Sequence, residues 1–321
     1  MRGSKILKKV AFIYPGQGSQ QVGMGKEFFE RHDLAKDYFE RTNEVLGYDL
    51  KEIMFQGPKE ELTKTENTQP ALLLVSAIIT SLLKEHQIIP EVAAGHSLGE
   101  YSALTATNAI SFEEAVLLVH KRGKLMESAY PSGKGAMAAV LGLNQDAIQE
   151  VLNNIIVELS STVEIANLNC PGQIVISGTK EAIDEAVIQL KEAGAKRVLP
   201  LAVSGPFHSS LMKPAASKLE EEISTCNWND SDVPIYANVT ADKVKDKKEI
   251  QQLLVEQLYS PVRFEEIITK LLEEDLDAIV EVGTGKVLTG LVKKVNRRAN
   301  VFSVQDIESF EQFIKWAKEE S

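Results

Sequence analysis

Short apolar runs alternate along the chain with longer stretches in which apolar residues recur at helical spacing. This pattern holds up to about residue 132, with a polar loop around Asn67 and Pro70. The predicted elements are strands at 9–14 and 92–94 and helices at 26–44, 71–85, 98–107 and 112–128. Because strands that alternate with helices are typical of a mainly parallel sheet, the pattern predicts an α/β domain.

The pattern changes between residues 133 and 201. Strands are predicted at 136–141, 163–169, 173–177 and 196–201, and helices at 145–155, after a capping Asn144, and at 180–193, before Gly194. The order β-α-β-β-α-β is that of a ferredoxin-like module. Residues 133–201 are therefore expected to form a small domain inserted into the larger one.

The helix and strand alternation resumes after the insert. Helices are predicted at 211–226, 247–257, 262–274 and 286–295, and strands at 235–238 and 278–282. We therefore expect a discontinuous large domain comprising residues 5–132 and 202–317.

Composition excludes several classes of protein. The chain has 321 residues, 44% of them hydrophobic and 25% charged, which is typical of a folded globular protein. Its net charge of −11 argues against nucleic acid or an anionic membrane as the main partner. Cys170 and Cys226 form no C-x-x-C pair, so neither a zinc site nor a disulfide framework is expected. The longest apolar run, 71–83, is shorter than the ~20 residues of a membrane helix. These observations predict a cytoplasmic protein.

Gly95-His96-Ser97-Leu98-Gly99 matches the pattern G-x-S-x-G between a predicted strand and a predicted helix. On such a turn a nucleophilic serine is exposed in strained backbone, and the flanking glycines let neighbouring chain pass closely. The amide of Leu98 then points toward a developing oxyanion. The motif predicts Ser97 as a nucleophile and an α/β-hydrolase-like large domain; an ordinary turn serine is the alternative.

A serine nucleophile needs a base, and the chain has five histidines. His96 adjoins Ser97 on the turn and points the wrong way, whereas His208 follows the insert on an irregular loop. Spacing alone leaves His208 an open candidate. Asp146 and Asp184, the only aspartates between Ser97 and His208, fall in helical patterns of the insert. A main-chain carbonyl is therefore a candidate for the third member, which argues against a plain esterase.

Three further signals are weak by themselves. Arg122 lies in the basic segment His120-Lys121-Arg122-Gly123-Lys124, which on its own indicates a solvated helix face. The turn at 16–18 lacks the third glycine of a dinucleotide motif, and the Gly-Thr-Gly-Lys run at 283–286 lacks the spacing of a phosphate loop.

Taken together, the motifs match a known family. The matching stretches are PGQGSQ (15–20), NTQPALL (67–73), GHSLGEYSAL (95–104), KRGKLM (121–126), GAMAAVLGL (135–143), NCPGQIVISG (169–178), GPFHSSLMKP (205–214), EQLYSPVRF (256–264) and GKVLTGL (285–291). The chain resembles the malonyl-CoA:acyl-carrier-protein transacylases of bacterial type II fatty-acid synthesis. One departure is Thr284, where that family often has proline.

The resemblance implies a role for each candidate residue. The implied roles are Ser97 as nucleophile, His208 as base, the main-chain carbonyl of Gln257 as the group that orients the imidazole, the amides of Gln17 and Leu98 as the oxyanion hole, Arg122 as the partner of the malonyl carboxylate, and Phe207 as a determinant of acyl selectivity. Arginine suits the carboxylate because its planar guanidinium binds two oxygens at once.

The resemblance also implies the reaction and its partners. Malonyl-CoA and acyl carrier protein are the expected substrates of a ping-pong transfer that needs no metal and no tightly bound cofactor, with coenzyme A only as the substrate's carrier. An acidic carrier protein requires a local basic patch on this acidic chain, and the candidates are Lys196 with Arg197 and Lys293 with Lys294, the latter pair followed by Arg297 and Arg298. A solvated basic helix end is the alternative for the second cluster. The alternatives are a hydrolase that releases malonate and a non-catalytic scaffold that binds carrier protein.

Overall fold

The computed structural model describes residues 8–203 and 205–319, so the predicted start of the large domain at residue 5 lies outside the described residues. The strands are β1 Val10–Tyr14, β2 Val92–Gly95, β3 Gly135–Leu141, β4 Val163–Cys170, β5 Gln173–Thr179, β6 Arg197–Pro200, β7 Ile235–Tyr236, β8 Lys243–Val244, β9 Ala278–Val282 and β10 Val301–Val304. The helices are α1 Lys26–Arg31, α2 Asp33–Leu46, α3 Leu50–Gln56, α4 Lys59–Thr63, α5 Thr65–Glu85, α6 Leu98–Ala106, α7 Phe112–Ser128, α8 Gln145–Leu159, α9 Lys180–Glu192, α10 Lys213–Ser224, α11 Lys247–Gln257, α12 Phe264–Glu273, α13 Val287–Val295 and α14 Ile307–Lys318.

The larger sheet has the strand order β10-β9-β1-β2-β7-β8, and only β8 runs antiparallel to its neighbour. Every residue of β1, β2 and β9 is buried, as expected when helices cover both faces of a parallel sheet. The predicted mixed α/β fold with a parallel sheet is therefore confirmed. In the β1–β2 register Tyr14 lies opposite Gly95, so the turns that follow these two strands lie side by side.

The smaller sheet is antiparallel throughout, with the order β4-β5-β3-β6. Helices α8 and α9 pack on it, and their apolar side chains form a core with the sheet that is separate from those of the larger sheet. Asn144 caps α8 as predicted, since its Oδ1 accepts the N–H of Ala147 at 2.9 Å. The smaller sheet is linked at Leu168 to the segment before α12, because the N–H of Leu168 donates to the carbonyl oxygen of Val262 at 2.9 Å.

Several predicted bounds differ from the structure, such as that of α8, which ends at 159 and not at 155, and two of the differences have a clear physical reason. The polar loop around Asn67 and Pro70 is the start of α5, because a proline near a helix start removes only one backbone donor. Its missing bond leaves the carbonyl of Glu66 available, and His120 Nδ1 donates to that oxygen at 2.9 Å. The predicted helix at 26–44 is two helices, because the extended backbone of His32 (φ −128°, ψ 124°) separates α1 from α2.

Among the described residues, no helix combines the length and apolar character needed to cross a membrane.

Candidate active site

Ser97 lies on the sharp turn between β2 and α6 with φ 51° and ψ −105°, a conformation that side-chain-bearing residues rarely adopt. A Cβ on Gly95 would overlap the main chain of Gly99, and a Cβ on Gly99 would overlap the carbonyl group of Tyr14. Both glycines of the motif are therefore required by close backbone packing. The N–H of Ser97 donates to Asn238 Oδ1 at 2.7 Å, which fixes the turn from the neighbouring strand.

His208 faces Ser97 across the site. Its Nε2 lies 2.8 Å from Ser97 Oγ, and its Nδ1 lies 2.8 Å from the main-chain carbonyl oxygen of Gln257. Because the carbonyl can only accept, Nδ1 carries the proton and Nε2 is free to accept one from the serine. Burial, together with the charge of Arg122, lowers the pKa of His208 to about 3. The imidazole is therefore neutral at physiological pH.

The carbonyl of Gln257 stands where a catalytic acid would stand. Asp184 is in α9 of the smaller sheet and pairs with Lys180 at the surface, and Asp146 is an exposed residue in the first turn of α8. Among the described residues, neither aspartate contacts His208.

Arg122 is 1% exposed, so the solvated-face interpretation of its segment is wrong for this residue. Its Nη2 donates to Ser97 Oγ at 3.1 Å and to Gln257 Oε1 at 2.8 Å, and its Nη1 donates to Gln69 Oε1 at 2.8 Å. The guanidinium also lies 5.2 Å from the ring centre of Tyr101. Burial lowers the pKa of Arg122 from its usual value. Nitrogen donors of a buried cation thus converge beside the serine hydroxyl.

The two predicted oxyanion donors come from the adjacent turns. The amide of Leu98 is the first of α6, where helix N–H groups have no intrahelical acceptor. Gln17 follows Gly16, which packs so closely on the main chain of His96 that a Cβ there would overlap the carbonyl oxygen. Gln17 is half-buried and lines the same cavity as Ser97.

A cavity of about 400 Å³ joins these groups. Ser97, Arg122 and His208 line its floor. Its walls are formed by residues from the segments around both sheets, including Met126, Met137, Asn167, Leu201, Val203 and Phe207. Phe207 is 4% exposed. A larger cavity of about 750 Å³ between the 130–134 loop and α9 contains none of the predicted site residues.

Among the described residues, no cluster of three His, Cys, Asp or Glu side chains could hold a metal ion.

Comparison with known proteins decides the family. The model of the acyl transferase domain family matches residues 11–320. The chain is 52% identical to the malonyl CoA-acyl carrier protein transacylase of Bacillus subtilis, over 98% of this chain and 99% of that protein. The chain belongs to the malonyl CoA-acyl carrier protein transacylase family.

Solved structures of this transacylase family share the fold. An acyl carrier protein S-malonyltransferase from Vibrio cholerae superposes with a TM-score of 0.92 at 42% identity, covering 95% of this chain and 99% of that one. A malonyl-transacylase solved in complex with a type II PKS acyl-carrier protein superposes with a TM-score of 0.93 at 40% identity, covering 96% and 99%.

The basic residues predicted to dock a carrier protein lie outside the cavity of this transacylase but near each other. Lys196 and Arg197 are exposed, and the side chain of Lys196 packs over Gly142. Gly142 in turn donates its N–H to the carbonyl of Gly172, in the β4–β5 turn, at 2.9 Å. Lys294 Nζ reaches the same turn, donating to Gln173 Oε1 at 2.6 Å. Both predicted clusters therefore border the β4–β5 turn.

This turn adjoins the site. Asn169 Oδ1, next to the turn, lies 2.8 Å from His96 Nε2, and His96 lines the cavity beside Ser97. Lys293 differs from its neighbour, because its Nζ donates to the carbonyl of Ala299 at 2.7 Å and closes the end of α13.

The sequence analysis did not predict several residues that hydrogen-bond to residues of the site, among them Gln69, Glu100, Asn169 and Asn238. Asn238 had a usable signal, because it follows a strand at the carboxyl edge of a parallel sheet, where α/β proteins place functional groups. Gln69 lies in the matched NTQPALL stretch, but its segment was predicted to be a loop and the residue was given no role. Glu100 lies in the matched GHSLGEYSAL stretch, yet helical periodicity assigns it no particular role.

Proposed function

We propose that this chain transfers the malonyl group of malonyl-CoA to the phosphopantetheine thiol of acyl carrier protein through a malonyl ester on Ser97. One observation carries the proposal: Ser97 Oγ lies 2.8 Å from His208 Nε2 and 3.1 Å from Arg122 Nη2. A nucleophile, a neutral base and a carboxylate-binding cation thus share one cavity. The name and the 52% identity of the Bacillus subtilis relative support the same activity.

In the first half-reaction, His208 Nε2 takes the proton of Ser97 Oγ as that oxygen attacks the thioester carbonyl. The amides of Gln17 and Leu98 donate to the oxyanion of the tetrahedral intermediate. The carbon–sulfur bond then breaks, and the departing thiolate of coenzyme A takes the proton from His208. A malonyl ester on Ser97 remains.

In the second half-reaction, the same groups act on a different thiol. His208 Nε2 takes the proton of the phosphopantetheine thiol as its sulfur attacks the ester carbonyl. The bond to Ser97 Oγ breaks, and the serine oxygen recovers a proton from His208. No metal and no tightly bound cofactor is required, and coenzyme A enters and leaves only as the acyl carrier.

The free carboxylate of the malonyl group is proposed to bind Arg122. Within residues 8–203 and 205–319, no carboxylate lies within ion-pair distance of this guanidinium, whose Nη1 and Nη2 bond to the neutral amide oxygens of Gln69 and Gln257. A buried cation without a direct counter-ion is costly, and an anionic substrate group relieves that cost. Phe207, at the cavity wall, is proposed to limit the space beside the malonyl α-carbon.

The division of the chain into two domains is also part of this proposal. An α/β-hydrolase-like large domain, residues 5–132 and 202–317, holds Ser97, His208 and Arg122, and a ferredoxin-like insert, residues 133–201, closes the cavity from the other side. The order of the elements from β3 to β6 and their separate core support this division. We further propose a cytoplasmic location, in keeping with a reaction between two soluble substrates.

The carrier protein is proposed to dock beside the β4–β5 turn. Lys196, Arg197, Lys293 and Lys294 supply positive charge there on a chain whose net charge is −11. Complementary local charge guides an acidic partner even when net charges repel. A transacylase of similar fold has been solved with an acyl-carrier protein, which supports this kind of partner.

A labelling experiment separates the proposal from its alternatives. The chain is incubated with malonyl-CoA that carries a radioactive malonyl group, freed of small molecules, and then treated with holo acyl carrier protein or with buffer. Transfer of label to carrier protein, with slow loss in buffer, is expected. Rapid release of malonate in buffer would indicate a hydrolase, and no labelling of the chain would indicate a scaffold.

A further inference from the structure

A buried carboxyl group lies directly behind the site. Glu100 is in the first turn of α6 and only 2% exposed. Its Oε2 accepts two hydrogen bonds, from Gln257 Nε2 at 2.8 Å and from the main-chain N–H of Asn238 at 2.9 Å. Burying a carboxyl group costs free energy unless it is fully bonded, so a role is expected for it. The two half-reactions above do not use it.

The amide of Gln257 links this carboxyl group to Arg122. Gln257 Nε2 donates to Glu100 and, at 3.2 Å, to the carbonyl of Ser97, while Oε1 accepts from Arg122 Nη2 at 2.8 Å. An amide presents donors at one end and an acceptor at the other, whereas a carboxylate oxygen only accepts. If the amide were reversed, its NH₂ would face the guanidinium donors and its oxygen would face Glu100, leaving buried groups unsatisfied.

We propose that Glu100 is a positioning residue that fixes the orientation of the Gln257 amide and, through it, holds the guanidinium of Arg122 in the acyl cavity. The proposal rests on the proposed function, because a fixed guanidinium serves a substrate that carries a carboxylate. It assigns Gln257 two tasks, with its main-chain carbonyl directing His208 and its side chain directing Arg122.

The ionisation state of Glu100 does not decide this role. Burial raises the pKa of Glu100 to about 7, opposed by the bonds from Asn238 and Gln257 and by the charge of Arg122. A protonated carboxyl group keeps one carbonyl oxygen, which accepts as a carboxylate oxygen does. A glutamine at this position also offers a carbonyl oxygen at the same reach. The orientation account therefore predicts rescue by Glu100→Gln.

The test compares malonyl and acetyl substrates, because an acetyl group has no carboxylate for Arg122. In Glu100→Ala, the KM for malonyl-CoA is expected to rise ~10–100-fold, and acetyl transfer from acetyl-CoA is expected to change by less than ~5-fold. Glu100→Gln is expected to stay within ~5-fold of wild type in the malonyl-to-acetyl ratio of kcat/KM. A general loss of stability would lower both activities together.

Glu281 provides a matched control. It is a fully buried glutamate whose carboxylate accepts the N–H groups of Leu288 at 3.0 Å and Thr289 at 2.7 Å, away from the cavity lining. Glu281→Ala is expected to keep the wild-type malonyl-to-acetyl ratio. If it changes that ratio as much as Glu100→Ala does, the effect reports disturbed packing and the proposal is wrong.

Two results would overturn the positioning role while leaving the proposed function intact. One is a wild-type ratio in Glu100→Ala, and the other is a loss in Glu100→Gln as large as that in Glu100→Ala. If Glu100→Ala does not fold, Gln257→Met removes the amide and keeps the main-chain carbonyl; a wild-type ratio in that variant would equally overturn the role. Failure of the proposed function itself would show as absent malonyl transfer in the wild-type chain.

Discussion

His208 Nδ1 lies 2.8 Å from the main-chain carbonyl oxygen of Gln257, at the position that a carboxylate occupies in a Ser-His-acid triad. A neutral carbonyl fixes the tautomer, but it stabilises the imidazolium less than a carboxylate does. Burial and the charge of Arg122 lower the pKa of His208 to about 3, and the hydrogen bond to the Gln257 carbonyl offsets only part of this shift. The proposed base is therefore neutral and able to accept a proton over a wide range of pH.

This pKa predicts an unusual pH profile for the acylation of Ser97. Protonation inactivates a base, so activity is lost only as the pH falls through the pKa of the folded protein, about 3 for His208. We expect kcat/KM for acylation by malonyl-CoA to show no acidic limb near the ordinary histidine pKa of ~6.5. Single-turnover quench measurements across pH test this. A limb near that value in both wild type and Glu100→Gln, which lacks the buried carboxyl group with a pKa of about 7, would contradict the assignment.

Arg122→Ala should reduce malonyl transfer far more than acetyl transfer. The malonyl carboxylate would lose charge-assisted hydrogen bonds in a desolvated cavity, a loss of about 10–100-fold in kcat/KM or more. Arg122→Lys should restore little, because an ammonium group cannot bind two oxygens in the plane of a guanidinium. Steady-state kinetics with both substrates measure the effect. Equal losses for malonyl and acetyl groups would make Arg122 a structural residue.

Phe207 should discriminate against a methyl branch on the malonyl group. Its ring lines the cavity and is only 4% exposed, so little space remains beside the α-carbon. Phe207→Ser is expected to improve methylmalonyl transfer relative to malonyl transfer by ~10-fold or more, the usual value of one carbon in a tight cavity. Competition between malonyl-CoA and methylmalonyl-CoA measures the ratio. If it is unchanged, the steric explanation fails.

Charge reversal beside the β4–β5 turn should weaken the second half-reaction alone. Lys293 and Lys294 both become glutamate in the full test, while Lys294→Glu alone spares the bond from Lys293 to Ala299. We expect the KM for carrier protein to rise ~3–10-fold at low salt, with acylation by malonyl-CoA unchanged. The effect should shrink as salt screens the charges.

The charge-matched control for Lys294→Glu is Lys36→Glu, at a partly exposed lysine on α2 whose partner is Asp33. It should leave carrier-protein kinetics unchanged. If the Lys293 and Lys294 variants show wild-type kinetics with carrier protein at low salt, these lysines are ordinary surface charges.

The sequence predicted the bounds of those elements that depend on residues close together in the chain. Helices α7 and α11 and strand β9 have the predicted bounds, because apolar periodicity and capping residues define them. Helix α14 was not predicted, although Asp306 and Ser309 form a capping box at its start, a signal readable in the sequence. The break at His32 between α1 and α2 has no comparable marker.

Some features of the site were also predictable from the sequence, and others were not. The turn at Ser97 was predictable because the G-x-S-x-G motif marks it in the local sequence, with Gly95 packed against Gly99 inside the turn. The burial of Arg122 was not, since Lys121 and Lys124 beside it remain at the surface and the groups around the guanidinium belong to residues distant in the chain, Gln69, Tyr101 and Gln257. Contacts such as that between Glu100 and Gln257 join residues far apart in the chain, and no local pattern encodes them.

The most direct test of the account is the mass of the chain after exposure to malonyl-CoA. Wild type should gain the mass of one malonyl group, which peptide mapping should place on Ser97, and holo acyl carrier protein should remove it. Ser97→Ala loses only a hydroxyl group, so it should keep the wild-type circular dichroism spectrum and gain no mass. A malonyl adduct on Ser97→Ala, or one that maps to another residue of the wild type, would contradict the proposed mechanism.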